Sequence, residues 1–327
     1  MSTTPDPRTA LSYPEHDKLG PLGHKTSAIG DAAALRNMLV RAFEAATQDA
    51  RDAVGVIDTG ATAAVHQSRK ALRRARAVLG LVAAALPNSE RRAVKTALQE
   101  ARRALSTVRD HAVAPETIAQ LALDDGDRAT ADRVLANAAE AVPALAETKQ
   151  LLAESAARAA AQAEALQTAL PHEIAWDTVA EGIRTTYGDA RRASGGAKRS
   201  KAWFHTWRRR SKELVYQLEL IAREAGPRVV AIHDELSGVT DTLGPAVDLI
   251  MVREFIATYA QGISAEAIEH LRDAIDPQLD DLMKAARKAA RDAFRQKPKK
   301  LEKRITRSVR RDLVPADDAN HEGEPHG

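Results

Sequence analysis

A histidine followed by spaced basic residues occurs twice in this chain, and this repetition constrains the fold more than any other feature. The two copies begin 139 positions apart, and an aspartate follows them at nearly the same distance, 44 and 43 residues after the histidine. The repetition predicts a duplicated helical unit. The first copy consists of His66, Arg69, Arg73, Arg74, Arg76 and the later Asp110, and the second of His205, Arg208, Arg209, Lys212, Tyr216 and the later Asp248.

The rest of the chain also favours helices. Alanine, leucine, arginine, glutamate and glutamine recur at helical spacing, β-branched alternation is rare, and aromatic residues make up only 3% of the 327 residues. We therefore predict an all-α protein with an aliphatic core. Glycine and proline punctuation places the helices at 29–58, 62–86, 88–111, 114–123, 127–141, 144–169, 172–194, 199–224, 227–242, 245–261, 264–274 and 276–313.

The repetition and the punctuation together suggest how the chain is divided. We expect two similar bundles of about four to six helices each, with a boundary near residue 170 and with polar, disordered ends. Asn88 or Ser89 is expected to cap the third helix, Ser264 a later one, and Pro298 to kink or split the last helix. The predicted segments are an arm at 1–27, a first bundle at 28–170, a second bundle at 171–313 and a tail at 314–327.

The net charge of +3 hides a strong segregation of charge. Lysine and arginine exceed aspartate and glutamate by 9 at residues 66–109, by 6 at 198–216 and by 11 at 283–311. Such runs create a local potential that the overall balance does not show. These runs are either solvated arginines of a helical protein or surfaces that bind an anionic partner. Because two of the three runs lie in register, we favour the anionic partner.

Within each copy the basic residues share one helix face. His66, Arg69, Arg73 and Arg76 fall within about 80° of one another, and the second copy spans about 100°. Like charges at these spacings destabilise a helix by about 0.2–0.5 kcal/mol per pair. The missing countercharge comes either from acidic residues of neighbouring helices or from an external anion. We expect an anion, held along two facing stripes.

At these residues the sequence resembles the CHAD family, the conserved histidine α-helical domain. The first copy matches the pattern His-x2-Arg-x3-Arg-Arg-x-Arg, and the second matches His-x-Trp-Arg-x3-Lys-x3-Tyr. Further similarity over about 28–312 lies at Leu105, Val108, Arg109 and Asp110, at Gly182, Ile183, Arg184, Tyr187 and Arg191, and at Leu243, Gly244 and Asp248. The sequence departs from the family at Glu213 and Val215, where some members carry arginines, so the second stripe is expected to carry less positive charge. It also departs at His111, where the family residue is usually apolar.

The resemblance implies two bundles around a pseudo-twofold axis with a basic central cavity, binding of inorganic polyphosphate, and location on polyphosphate granules in bacteria. The predicted contacts come from the two stripes and from neighbouring helices. On the stripes they are His66, Arg69, Arg73, Arg74 and Arg76, and His205, Arg208, Arg209 and Lys212. From other helices they are Arg109, Arg102, Arg103, Lys284, Lys288 and Arg291. The histidines either contact the ligand or orient arginines. Asp110, Asp248, Trp207 and Tyr216 are interpreted as structural.

Other functions find little support in the sequence. It has no cysteine, no glycine-rich phosphate loop, no metal-ligand spacing and no nucleophile elbow, so we expect neither catalysis nor a cofactor. A nucleic-acid-binding protein and a polyphosphate-processing enzyme that use the same basic cavity remain alternatives, although single-strand binders usually add stacking aromatics. No apolar run approaches the roughly 20 residues that span a bilayer. A cytoplasmic protein without a membrane partner is expected.

Overall fold

The computed structural model describes residues 28–197, 200–222 and 225–312, and within them it is built from α-helices and two 3-10 turns, with no strand. The all-α prediction is confirmed, while the predicted arm at 1–27 and tail at 314–327 lie outside the described residues. The 3-10 turns are Ala28–Gly30 and Ile57–Thr59. The helices are α1 Ala32–Gly55, α2 Ala61–Leu81, α3 Asn88–Ala104, α4 Ser106–Ala119, α5 Asp125–Ala139, α6 Leu145–Ala169, α7 Trp176–Gly196, α8 Lys201–Ala222, α9 Pro227–Thr258, α10 Ala265–Ala293 and α11 Pro298–Asp312.

Side-chain caps fix several helix starts. Asp31 accepts hydrogen bonds from the first backbone N–H groups of α1, and Asp124 does the same for α5. Ser264 caps α10, as predicted. The predicted cap of α3 is wrong, because Asn88 is already helical and its side chain accepts a hydrogen bond from Arg91 instead.

Proline did not end helices where the sequence suggested it would. Breaks were predicted at Pro245 and Pro277, but α9 and α10 run through both residues. An internal proline costs about 3 kcal/mol through a lost hydrogen bond and a steric clash. Packing around it offsets this cost, since Leu243 and Ala246 are fully buried on α9. Pro298, by contrast, begins α11 and splits the predicted helix 276–313, as expected.

The helices pack both within and across the predicted boundary near residue 170. In the first half, α1 packs on α2 and α6, and α3 packs on α6. In the second half, α8 packs on α7 and α9, α9 packs on α10, and α11 packs on α7. Between the halves, α2 packs on α7 and α8, α4 on α9, and α5 on α10. One continuous hydrophobic core therefore runs through both halves.

The predicted correspondence between the halves can be followed in the helix positions. A shift of 139 residues moves 62–86 onto 201–225, where α8 lies. The same shift moves 144–169 onto 283–308, which spans the end of α10, a turn and most of α11. The helices that carry the two stripes thus correspond closely, and the duplication itself stays a prediction.

A close crossing of α2 and α7 helps to position the stripe-bearing helices. Gly182 on α7 faces the backbone of Gly80 and Leu81 on α2. A Cβ atom at Gly182 would lie 2.6 Å from the Gly80 carbonyl oxygen and 2.7 Å from the Leu81 Cα atom. Glycine is therefore required at this position for the two backbones to approach.

Candidate functional site

The structure brings the two basic stripes together because α2 packs directly on α8. Gln217 on α8 donates a hydrogen bond to the Ala77 carbonyl of α2, with an N–O distance of 3.2 Å, and is fully buried. Arg73 lies close enough to Arg208 and Lys212 to contribute to the lowering of both pKa values. The stripes face each other across the α2–α8 contact.

Two further helices supply cations to the same place. Arg102 lies on α3, and burial lowers its pKa, assisted by Arg76 and Arg73 of α2 and Arg209 of α8. Arg109 lies on α4, and its charge contributes to the pKa lowering of both His66 and His205. We call the facing cations of these four helices the cationic cluster. Its members are Arg69, Arg73, Arg74 and Arg76 on α2, Arg102 on α3, Arg109 on α4, and Arg208, Arg209 and Lys212 on α8.

Arg69 combines burial with the positive charge of its neighbours. Burial lowers the pKa of its guanidinium to about 9, and Arg102, Arg73 and Arg109 add to the lowering. Its Nη1 donates to the Arg102 carbonyl oxygen at 3.0 Å, and its own carbonyl accepts from Arg73 Nε at 3.1 Å. Backbone carbonyls hold these side chains in place, but they do not neutralise the charge.

Acidic residues neutralise part of the cluster, as the alternative interpretation of the charge pattern expected. Each of four predicted cations has at least one carboxylate partner. The pairs are Arg74 with Glu219 at 2.9 Å and Asp49 at 3.8 Å, Arg76 with Glu213 at 3.8 Å, Lys212 with Asp241 at 3.6 Å, and Arg109 with Asp110 at 2.9 Å and with Asp248. Glu213 is buried and also pairs with Arg210. The departure from the family pattern at Glu213 thus reduces the local positive charge.

The remaining cations of the cluster have no such partner. Among residues 28–197, 200–222 and 225–312, no carboxylate forms an ion pair with Arg69, Arg73, Arg102, Arg208 or Arg209. Arg208 is also unsatisfied in its hydrogen bonds, because its buried Nε has no protein partner within the described residues. These five arginines, which come from three helices, form the part of the cluster whose charge no described carboxylate balances.

The histidines of both motifs, His66 and His205, have lowered pKa values, which favour their neutral form. Burial lowers the pKa of His66, and Arg73, Lys70, Arg69 and Arg109 lower it further. Burial also lowers the pKa of His205; Arg208 and Arg109 act in the same direction, whereas Glu254 and Asp248 oppose them. An anion that reached both histidines would reverse this effect by supplying negative charge.

The ion pair between Arg109 and Asp248 joins α4 to α9. Burial alone would lower the pKa of the Arg109 guanidinium, but its bonds to Asp110 and Asp248 raise it. The two aspartates that follow the repeated motifs therefore share one arginine. The other two residues interpreted as structural pack elsewhere: Trp207 is fully buried between Phe204 and Phe294, and the Tyr216 ring lies beneath the Arg74 guanidinium.

Some predicted contacts lie elsewhere or were missed. Lys284, Lys288 and Arg291 are exposed on α10, which packs mainly on α9, and Lys284 pairs with Asp281. Arg103 is exposed beside Arg102. The prediction omitted Lys95 on α3, whose pKa is lowered by burial and then by Arg76 and Arg210. Its spacing of seven residues from Arg102 places both on one helix face and was a usable signal.

In its described residues the chain is an all-α protein whose cationic cluster is only partly neutralised by acidic residues. A family model described as the CHAD domain matches residues 18–257, so the chain belongs to the CHAD domain family. The sequence resemblance had suggested a match over 28–312; the matched region begins earlier and ends within α9. No curated protein matches the sequence.

A solved structure shows the same fold. The crystal structure of the CHAD domain from the plant Ricinus communis aligns with a TM-score of 0.59 and 18% identity, covering 81% of this chain and 92% of that one. At this identity the similarity concerns the fold alone. Among the described residues, no helix is both long enough and apolar enough to cross a membrane.

Proposed function

We propose that this protein binds inorganic polyphosphate at the cationic cluster between α2 and α8, without catalysing its turnover. One observation carries the proposal: five arginines from three helices converge without ion-pair partners among the described residues. Such an arrangement is unfavourable in the free protein, as the lowered pKa values of Arg69, Arg102, Arg208 and Arg209 indicate. A bound polyanion removes the repulsion.

The chemistry of the cluster suits a chain of phosphates. The guanidinium fork contacts phosphate oxygens in a bidentate way. Arg69, Arg73 and Arg76 recur at three or four residues, about 5 Å along the helix, so an extended anion can follow α2 while α8 contacts its other side. Nucleic acid is the weaker candidate, because Trp207 is fully buried and offers no stacking surface.

Binding without catalysis is consistent with the acidic residues of the cluster. Glu213, Asp241 and Asp248 each form an ion pair with a neighbouring cation and are thereby engaged. A described group that could hold a metal ion, Asp124 with Asp127 and His270, lies on α5 and α10 and not between α2 and α8. We expect no phosphate release from polyphosphate in the presence of divalent metal.

The central test is a charge reversal on both stripes. Arg69→Glu with Arg208→Glu should weaken polyphosphate binding by at least about 100-fold, since each lost charge-assisted contact is worth roughly 1.5–3 kcal/mol. The variant should still fold, because each new carboxylate lies among arginines. A fluorescence titration with labelled polyphosphate and a circular dichroism melt measure the two properties.

The matched control reverses the same number of charges on another helix. Arg41→Glu with Arg51→Glu alters two exposed arginines of α1 and should bind within about twofold of the wild type. A double variant of the stripes that is folded and binds normally would contradict the assigned site. Competition with single-stranded RNA separates the alternatives, and equal affinity for RNA and polyphosphate would favour nucleic acid.

Binding of this kind also leads to a proposal about location. A cytoplasmic protein with this affinity would collect on polyphosphate granules. Fluorescence microscopy of the tagged protein against stained polyphosphate tests this, and the Arg69→Glu, Arg208→Glu variant should be diffuse.

A further inference from the structure

A second cationic surface lies on α11, beyond the part of the chain that the family model matches. The apolar face of this helix is fixed to the protein: Leu301, Ile305 and Val309 are buried. Two side-chain bonds hold it in place. Ser308 donates to the Ala225 carbonyl oxygen at 2.9 Å, and the Trp176 indole N–H donates to the Thr306 hydroxyl at 3.1 Å.

The opposite face of α11 is densely cationic. At 100° per residue its exposed basic residues fall within an arc of about 140°. They are Lys299, Lys300, Lys303, Arg304, Arg307, Arg310 and Arg311. The regular spacing of apolar and basic residues thus predicts the orientation that the structure shows, with the charges turned outward.

Part of this face lines a cleft between α11 and α7 with a volume of about 440 Å³. Five of its eight lining residues are basic and two are acidic. The basic lining residues are Arg184, Lys299, Lys303, Arg307 and Arg310.

Most of the charge in the cleft is uncompensated. Arg184 pairs with Glu181 at 2.9 Å and with Glu302 at 3.6 Å. The four basic residues that α11 contributes form no ion pair with any residue of the described part of the chain. Solvent counterions balance these exposed charges, and a polyanion can displace them.

The spacing of these four residues indicates an extended anion with repeated charges. They follow one another at four, four and three residues along α11, which is about 5–6 Å per step and about 16 Å in total. A single small anion would contact only one or two of them. The eight lining residues include no aromatic residue, so the cleft lacks the stacking surface that single-strand nucleic-acid binders use.

Insertion into a membrane is also disfavoured. A membrane-surface helix places its apolar face in the lipid, but the apolar face of α11 is buried in the protein core. We propose that the α7–α11 cleft is a second binding site for a phosphate chain, so that one protein molecule holds two chains or two segments of one chain. This inference extends the proposed function, since it gives the protein the ability to link polyphosphate chains.

Isothermal titration with a short linear polyphosphate tests the second site. The wild type should show two binding events. Lys303→Ala, Arg307→Ala and Arg310→Ala together should weaken one event by at least about tenfold and leave the other. The Arg69→Glu, Arg208→Glu variant should lose the event at α2 and α8 and retain the event at α11. The matched control, Arg41→Ala with Arg51→Ala and Lys149→Ala, removes three exposed cations of α1 and α6 and should retain both events.

The outcomes distinguish the two proposals. If the triple variant on α11 keeps every event that the wild type shows, the second site is wrong. If that variant loses all binding while the stripe variant loses none, the proposed function at α2 and α8 is wrong and α11 is the principal site. Tighter binding of the α11 face to duplex RNA, or to vesicles with anionic lipids, than to polyphosphate would overturn the proposed ligand.

Discussion

At the scale of single residues, the site is an arrangement of like charges that the fold tolerates at a cost. Backbone carbonyls orient Arg69 and Arg73, and burial lowers the pKa of several cations. On the proposed function, these features position the donors before the polyanion binds. Binding would then gain from the removal of repulsion as well as from new contacts.

The histidines should make binding depend on pH. Their pKa values are lowered in the free protein, and a bound polyanion raises them, so binding takes up protons. The affinity is therefore expected to increase by about tenfold as the pH falls from about 8 to about 6. Titrations at constant ionic strength measure this.

A double variant separates the contribution of the histidines to this pH dependence from that of other titrating groups. His66→Gln with His205→Gln should bind with the wild-type affinity at high pH and lose most of the increase at low pH. Calorimetry in two buffers of different ionisation enthalpy counts the protons that are taken up. An unchanged pH profile in this variant would show that neither histidine senses the ligand.

Asp248→Asn should change stability and binding in opposite directions. The pair of Arg109 and Asp248 has only 20% and 25% of its side-chain surface exposed, so loss of the charge should cost about 1–2 kcal/mol in the free energy of unfolding. Binding should become tighter, because Arg109 gains free charge and a carboxylate leaves the site. Urea denaturation and polyphosphate titration measure the two effects.

A more exposed pair provides the comparison. Asp241, whose side chain is 72% exposed, pairs with Lys212, so Asp241→Asn should alter the free energy of unfolding by less than about 1 kcal/mol. Weaker polyphosphate binding in Asp248→Asn would contradict the structural role assigned to this aspartate.

At the scale of helices, periodicity predicted which segments are helical but not where each one ends. The stretch 88–111 was one predicted helix, whereas the structure ends α3 at Ala104 and begins α4 at Ser106. Conversely, Pro245 and Pro277 lie inside long helices. Local signals such as proline compete with tertiary packing, and the sequence does not state the strength of that packing.

The α2–α7 crossing gives an element-scale prediction. Gly182→Ala should lower the free energy of unfolding by about 2 kcal/mol or more, because the new Cβ would meet backbone atoms of Gly80 and Leu81 that cannot move alone. Thermal or urea denaturation measures the change. Displacement of α2 should also weaken polyphosphate binding.

A second glycine serves as the control. Gly238 lies inside α9 and has no atom within 4 Å of the position a Cβ would take. Gly238→Ala should therefore raise the free energy of unfolding, by up to about 1 kcal/mol, through helix propensity. Equal behaviour of the two variants would show that the crossing is not tightly packed.

At the scale of the whole molecule, the sequence indicates the residues of the two stripes but not what surrounds them. A helical wheel identifies a cationic face, and the repeated motif indicated that two such faces matter. It does not show which faces meet, and so it does not show that Glu213 and Glu219 reach across to Arg76 and Arg74. Lys95 was omitted although its spacing from Arg102 was a usable signal. Those contacts depend on how helices cross, which local sequence does not determine.

The segregation of charge leads to a last prediction, on salt dependence. If direct phosphate contacts drive binding, the logarithm of the affinity should fall linearly with the logarithm of the salt concentration, because counterions are released. Arg69→Ala with Arg208→Ala should reduce the steepness of that slope by about 1.5–2, roughly one per lost contact. Arg41→Ala with Arg51→Ala changes the net charge equally but should keep the slope. The same reduction in both variants would mean that overall charge, and not the convergence of α2 and α8, attracts the polyanion.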